Sequence, residues 1–189
     1  ELRDDGILVI DAAYAEYATR DDYSPGIDLV DAAANVVMTR TFSKIYGLGG
    51  ARLGWAYCPA DIAGVLNRIR GPFNVSAPAM AAGLAALADV PFTDKVRAHN
   101  DQWLAWTRKQ LLGLGLDVPA SAGNFVLARF PDARGRNENA AEAADRFLKD
   151  RGIIVRAMKS YGLDDCLRIT IGREDEMHAV IGALTEFLE

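Results

Sequence analysis

The chain has 189 residues, half of them hydrophobic, and a net charge of −5 with no lysine or arginine run; it can build a real core and offers nothing suited to nucleic acid or an anionic membrane. Two cysteines in unrelated contexts and two lone histidines, without CxxC spacing, argue against a disulfide framework and against a metal site. No apolar run reaches membrane-spanning length and Glu1-Leu2-Arg3-Asp4-Asp5 does not read as a signal peptide, so a cytoplasmic protein with a small-molecule partner is expected.

Glu1 to Gly6 lacks an initiator Met and leads straight into an apolar run, as though a preceding element had been cut away; a fragment is expected. Ile7-Leu8-Val9-Ile10 is too short for a helix and reads as a parallel strand covered on both faces. It ends in Asp11, where a carboxylate calls for a cationic or hydrogen-bonding partner, and Tyr14 follows within reach of the same crevice. Taken alone, Asp11 caps a turn and Tyr14 is a core aromatic. Tyr17 to Asp31 is rich in Thr, Asp, Ser, Pro and Gly and reads as a loop or short-helix connection.

Asn35 to Thr41 is the next strand, and it delivers the segment Thr41-Phe42-Ser43-Lys44-Ile45-Tyr46-Gly47-Leu48-Gly49-Gly50-Ala51-Arg52. Lys44 therefore emerges at a strand end, bracketed by Phe42, Ile45 and Leu48, which shield its amine from water and favour attack on a carbonyl. A Schiff base is the natural product. Two hydroxyls, four glycines counting Gly54, and Arg52 eight residues beyond the lysine provide a tight turn, donors and a planar cation for a phosphate. Singly, each has a bland reading as a turn or surface residue. Together they suggest a phosphorylated aldehyde held covalently.

Leu53 to Cys58 reads as a third strand, with no room for a long helix before it. A helix from Pro59 or Asp61 to Arg70 places Ile62, Val65, Leu66 and Ile69 on one face, and Ala77 to Ala88 is a helix of small residues suited to close packing. Phe92 to Leu114 is long and amphipathic and suits a connection between two domains, residues 1–98 and residues 99–189. The second domain reads as a strand at Asn124 to Phe130, a polar loop from Pro131 to Asn139, a helix from Ala140 to Arg151, strands at Ile153 to Arg156 and Cys166 to Ile171, and a last helix ending near Leu188. Arg156 and Arg168 interrupt apolar strands, where a guanidinium suits a carboxylate or phosphate in an interdomain cleft.

These motifs, with Gly71-Pro72-Phe73-Asn74-Val75, Asn124-Phe125 and Leu167-Arg168-Ile169-Thr170-Ile171-Gly172, resemble the fold-type-I pyridoxal-phosphate aminotransferases, most closely the histidinol-phosphate aminotransferase group, over essentially the entire chain. The resemblance implies an α/β fold, part of a large domain with a mainly parallel sheet plus the C-terminal small α/β domain of such an enzyme. It implies that Lys44 anchors pyridoxal 5'-phosphate and moves the proton, that Asp11 pairs with the pyridine nitrogen, and that Tyr14 bonds the ring oxygen. Ser43 and Arg52 would hold the phosphate, Arg168 the substrate α-carboxylate, and Arg156 would meet an anionic group on the substrate or support that clamp. One departure is Ala12, where the group commonly carries a glutamate. The implied reaction passes an amino group between histidinol phosphate and 2-oxoglutarate in a cytoplasmic homodimer. Alternatives are a phosphothreonine-type decarboxylase, an aromatic amino acid aminotransferase and a truncated, non-catalytic fragment.

Overall fold

A computed structural model describes residues 6–131 and 139–189. Most of the lead-in before Ile7 and most of the polar loop expected between Pro131 and Asn139 lie outside the described residues. The chain divides into two compact units, Glu1–Arg97 and Ala98–Glu189.

The first unit is built on a sheet of β1 (Leu8–Asp11), β2 (Val36–Thr41) and β3 (Gly54–Tyr57), in that order. β1 runs parallel to β2 and β3 antiparallel to it. Val36 and Met38 are buried with Ala12, Ala15 and Val30, the last from the short helix α1 (Ile27–Ala32), and Leu8 and Ile10 pack against this cluster. The expectation that β1 is covered on both faces does not hold. Ile7 is 63% and Val9 57% exposed, because successive strand side chains alternate in direction and the described residues cover only the Leu8 and Ile10 face.

Helix α2 (Ala60–Ile69) has an apolar stripe but no buried residue. Helix α3 (Ala77–Ala88) starts at Ser76, whose hydroxyl accepts the Ala79 N–H, and turns Gly83 toward Leu53 and Phe42. Small residues there let the helix backbone come close to the segment around Lys44.

The second unit is an antiparallel sheet in the order β4 (Phe125–Arg129), β6 (Cys166–Thr170), β5 (Arg156–Ala157), with helices α5 (Ala140–Lys149) and α6 (Glu174–Leu188). Helix α4 (Val90–Gly113) contains the boundary between the units. Val126 and Ala128 of β4 stand opposite Ile169 and Leu167 of β6, and this face is buried with Leu111, Leu148 and Leu184. Asn139 starts α5 by accepting the N–H groups of Ala141 and Glu142. Trp103 and Trp106 of α4 pack edge-on against the His178 ring of α6, with centroids at 5.5 and 4.6 Å.

The strand expected from Ile153 is reduced to Arg156 and Ala157. The Ile153 N–H bonds the Leu148 carbonyl, so residues 153–155 are spent leaving α5 before the ladder begins.

Candidate active site

Asp11 stands opposite Thr39 in the parallel register, so the carboxyl ends of β1 and β2 emerge at one edge of the sheet, the edge where open α/β sheets present ligand-binding groups. Asp11 leaves β1 exposed, and its Oδ1 accepts the Ala13 N–H at 3.2 Å, shaping the turn that brings Tyr14 forward. The turn-capping role is thus filled by the same side chain that sits at the strand end.

From β2 the chain continues into the lysine loop. Phe42 and Ile45 turn into the interior, leaving Lys44 half-buried between them, with its Nζ 5.3 Å from the centre of the Tyr14 ring. The loop is fastened by backbone bonds: Phe42 N–H to Leu53 carbonyl, Gly47 N–H to Lys44 carbonyl and Leu48 N–H to Phe42 carbonyl. Gly47 has φ 68°, a left-handed conformation that closes this turn without a Cβ penalty. Ser43 is half-buried, and its N–H donates to Thr41 Oγ1 at 3.0 Å.

Arg52 closes the loop with φ 52° and ψ 45°. It is the only non-glycine with positive φ among the described residues, a conformation that costs about 1–2 kcal/mol in an L-residue. Its Nη1 donates to the Gly49 carbonyl at 2.8 Å, with the rest of the guanidinium exposed. A glycine would adopt this conformation without that cost.

The remaining two predicted residues lie in the second unit. Arg156 of β5 stands directly opposite Arg168 of β6, on the face away from the core. Arg168 lies over the Phe125 ring at 4.7 Å, and its Nε is buried without a hydrogen-bond partner. Arg156 Nη2 donates to the Tyr161 hydroxyl at 3.0 Å. Like charges directly across a ladder repel, and a buried N–H without an acceptor costs about 1–3 kcal/mol. An anion beside the two guanidinium groups would offset the repulsion between them.

Behind the lysine loop lies an ion pair that sequence reading passes over. Glu16 Oε1 accepts from Arg40 Nε at 3.1 Å and from Arg40 Nη2 at 3.0 Å. Burial, then the Glu16 and Tyr14 charges, push the Tyr17 phenol up to about 12. The Tyr46 phenol is also raised, by burial first and Glu16 second, against Arg40 and Arg97. The available signal was a lone carboxylate in Ala12-Ala13-Tyr14-Ala15-Glu16-Tyr17-Ala18, where a charge needs a partner. Phe125, which lies under Arg168, and Tyr161, which accepts from Arg156, are brought to the arginines by the fold.

Among the described residues no group of three His, Cys, Asp or Glu could hold a metal ion, and no helix is long and apolar enough to cross a membrane.

A parallel ladder with a lysine loop at its carboxyl edge, and a separate antiparallel α/β unit bearing paired arginines, are matched in pyridoxal-phosphate-dependent aminotransferases of fold type I. Residues 2–184 match the model of aminotransferase class I and II, and the chain belongs to that family. It is 59% identical over 187 residues to a histidinol-phosphate aminotransferase of Paramagnetospirillum magneticum, covering 99% of this chain and 51% of that protein. To a histidinol-phosphate aminotransferase of Rhodospirillum rubrum it is 60% identical, covering 99% of this chain and 50% of that protein. The crystal structure of histidinol-phosphate aminotransferase from Sinorhizobium meliloti in complex with pyridoxal-5'-phosphate superposes with a TM-score of 0.83 at 34% identity, covering 96% of this chain and 48% of that one. The chain spans about half the length of the curated relatives it matches.

Proposed function

We propose that this chain carries the lysine-bearing part of a pyridoxal-phosphate aminotransferase site, and that the protein passes an amino group between histidinol phosphate and 2-oxoglutarate. The observation that carries the proposal is Lys44, half-buried at the carboxyl edge of the β1–β2 ladder beside Tyr14, with Asp11 at the end of the paired strand. The residue types fit the group: an amine for its aldehyde, a carboxylate for its ring nitrogen, a phenol for its ring oxygen, and a hydroxyl and guanidinium for its phosphate.

When bound, the cofactor supplies an electron-withdrawing ring that takes up the electron pair released at the substrate Cα. The side chains supply the rest. Lys44 would hold the cofactor through its aldehyde carbon and, as a free amine, would move the proton at the substrate Cα. Asp11 would face the ring nitrogen and favour its protonated form, Tyr14 would donate to the ring oxygen, and Ser43 and Arg52 would hold the phosphate. Arg168 would bind the substrate α-carboxylate, and Arg156, opposite it in the ladder, would meet a further anionic group or brace that clamp.

Residues 1–98 form the C-terminal part of the large cofactor-binding domain, and residues 99–189 the linking helix and small domain. The names of the relatives at 59% and 60% identity support histidinol phosphate as substrate, and a phosphothreonine-type decarboxylase has less support. Exposed apolar side chains on α2, α3 and the turn between them support a homodimer, and a cytoplasmic enzyme is part of the same proposal.

The test is borohydride reduction in the presence of pyridoxal 5'-phosphate, followed by peptide mass mapping. The mass of the reduced cofactor is expected on Lys44, and Lys44→Ala is expected to keep the fold and abolish the adduct. An adduct persisting in the Lys44→Ala protein would sink the assignment. Amino transfer from glutamate, rather than carbon dioxide release, separates the aminotransferase from the decarboxylase.

A further inference from the structure

Glu16 lies two residues beyond Tyr14, and Arg40 four residues before Lys44. Their side chains are 9% and 16% exposed, and both Arg40 donors converge on one carboxylate oxygen. The other, Oε2, is buried with no hydrogen-bond partner. The Glu16 backbone carbonyl is held in turn by Arg97 Nε at 2.8 Å, and Arg40 stacks 5.6 Å from the centre of the Trp55 ring across the β2–β3 ladder.

As a stabilising device this is a poor arrangement. A buried ion pair with one unmatched oxygen is commonly no better than apolar residues of the same volume. Apolar contact, however, is non-directional, whereas two donors on one oxygen fix position as well as distance. What the pair joins is specific: the turn that presents Tyr14 and the end of the strand that presents Lys44.

We infer that Glu16 and Arg40 are a positioning pair that sets the Tyr14 ring against the Lys44 amine, without touching substrate or cofactor themselves. The inference rests on the proposed function for what Lys44 does, but its structural part stands on the loop alone. With the pair released, the 310 turn Ala15–Tyr17 would keep the Ala12 N–H bond to the Thr39 carbonyl and the Arg97 bond to the Glu16 carbonyl but lose its side-chain tie to β2, the strand that leads into the lysine loop.

The experiment uses the protein that carries this chain, with Glu16→Gln, Arg40→Lys, and the apolar double variant Glu16→Leu/Arg40→Met. Without cofactor, amide exchange at Gly47 and Leu48 is expected to accelerate about tenfold or more in both single variants, while Leu8 near the start of β1 is unchanged. With saturating pyridoxal 5'-phosphate, the double variant is expected to regain the parent's unfolding temperature yet to be trapped at Lys44 about tenfold more slowly. Unchanged exchange at Gly47 and Leu48 in the single variants would overturn the inference, as would parental trapping in the double variant, which would reduce the pair to a structural role. If the unsubstituted protein traps no cofactor, the proposed function falls, and the exchange data still decide for or against the pair.

Discussion

Arg52 sets a left-handed backbone against the phosphate-binding role proposed for its side chain. Its left-handed backbone opposes folding, while its guanidinium faces solvent beyond a single bond to Gly49. Arg52→Gly is expected to raise unfolding stability by about 0.5–1 kcal/mol, the relief of strain less the greater freedom of glycine in the unfolded chain. The same change should weaken cofactor binding by about tenfold or more, the worth of a charge-assisted hydrogen bond. Thermal unfolding and a cofactor titration on one protein check both signs. Tyr17 gives the pH dependence. Its phenol is raised to about 12 by burial first, so the neutral form is favoured in the folded state. The associated stability is fully present below about pH 10 and is lost as pH rises toward 12. Unfolding free energies measured from pH 8 upward should therefore fall through that window, and Tyr17→Phe should flatten the fall.

At the scale of elements, the lysine loop depends on β3 lying close against β2. A Cβ built on Gly54 would stand 2.8 Å from the Arg40 carbonyl oxygen, a backbone atom that cannot swing aside. Gly54→Ala is expected to cost about 1–3 kcal/mol, and to disturb Arg40 and Lys44 together. Chemical denaturation reads the first effect and amide exchange at Leu48 the second. Elements of this kind were legible in the sequence where the pattern was local. The β2 run, the lysine and glycine loop, the small-residue helix and the strand bearing Arg168 all appear where apolar period and turn residues place them. What the sequence misjudged depends on tertiary neighbours. Val9 belongs to an apolar run, but nothing among the described residues covers its face, and Ile153 has strand composition but donates its N–H to the end of α5. Glu16 and Arg40 are 24 residues apart, and no spacing rule links a turn to the strand beside it.

For the whole molecule, the uneven cover of the first unit governs solution behaviour. Ile69, Phe73 and Leu84 are 74%, 94% and 72% exposed. Apolar surface of that extent promotes association, so the isolated chain is expected to sediment as a concentration-dependent mixture, and Phe73→Asp to shift it toward monomer. A well-behaved monomer at all concentrations would contradict this.

The indoles divide the same way as the chain. Trp55 belongs to the first unit, half open to water beside Arg40, whereas Trp103 and Trp106 belong to the second, 5.1 Å apart and against His178. Light emitted from a wet indole is redder than light from a dry one. Native fluorescence is therefore a two-colour record in which each unit reports its own loss of structure, the red edge following the lysine-bearing unit and the blue edge the arginine-bearing one. Whether the two units melt together or in turn can then be read from one spectrum per temperature, and replacing Trp55 with phenylalanine, which leaves only the second colour, identifies which edge belongs to which unit.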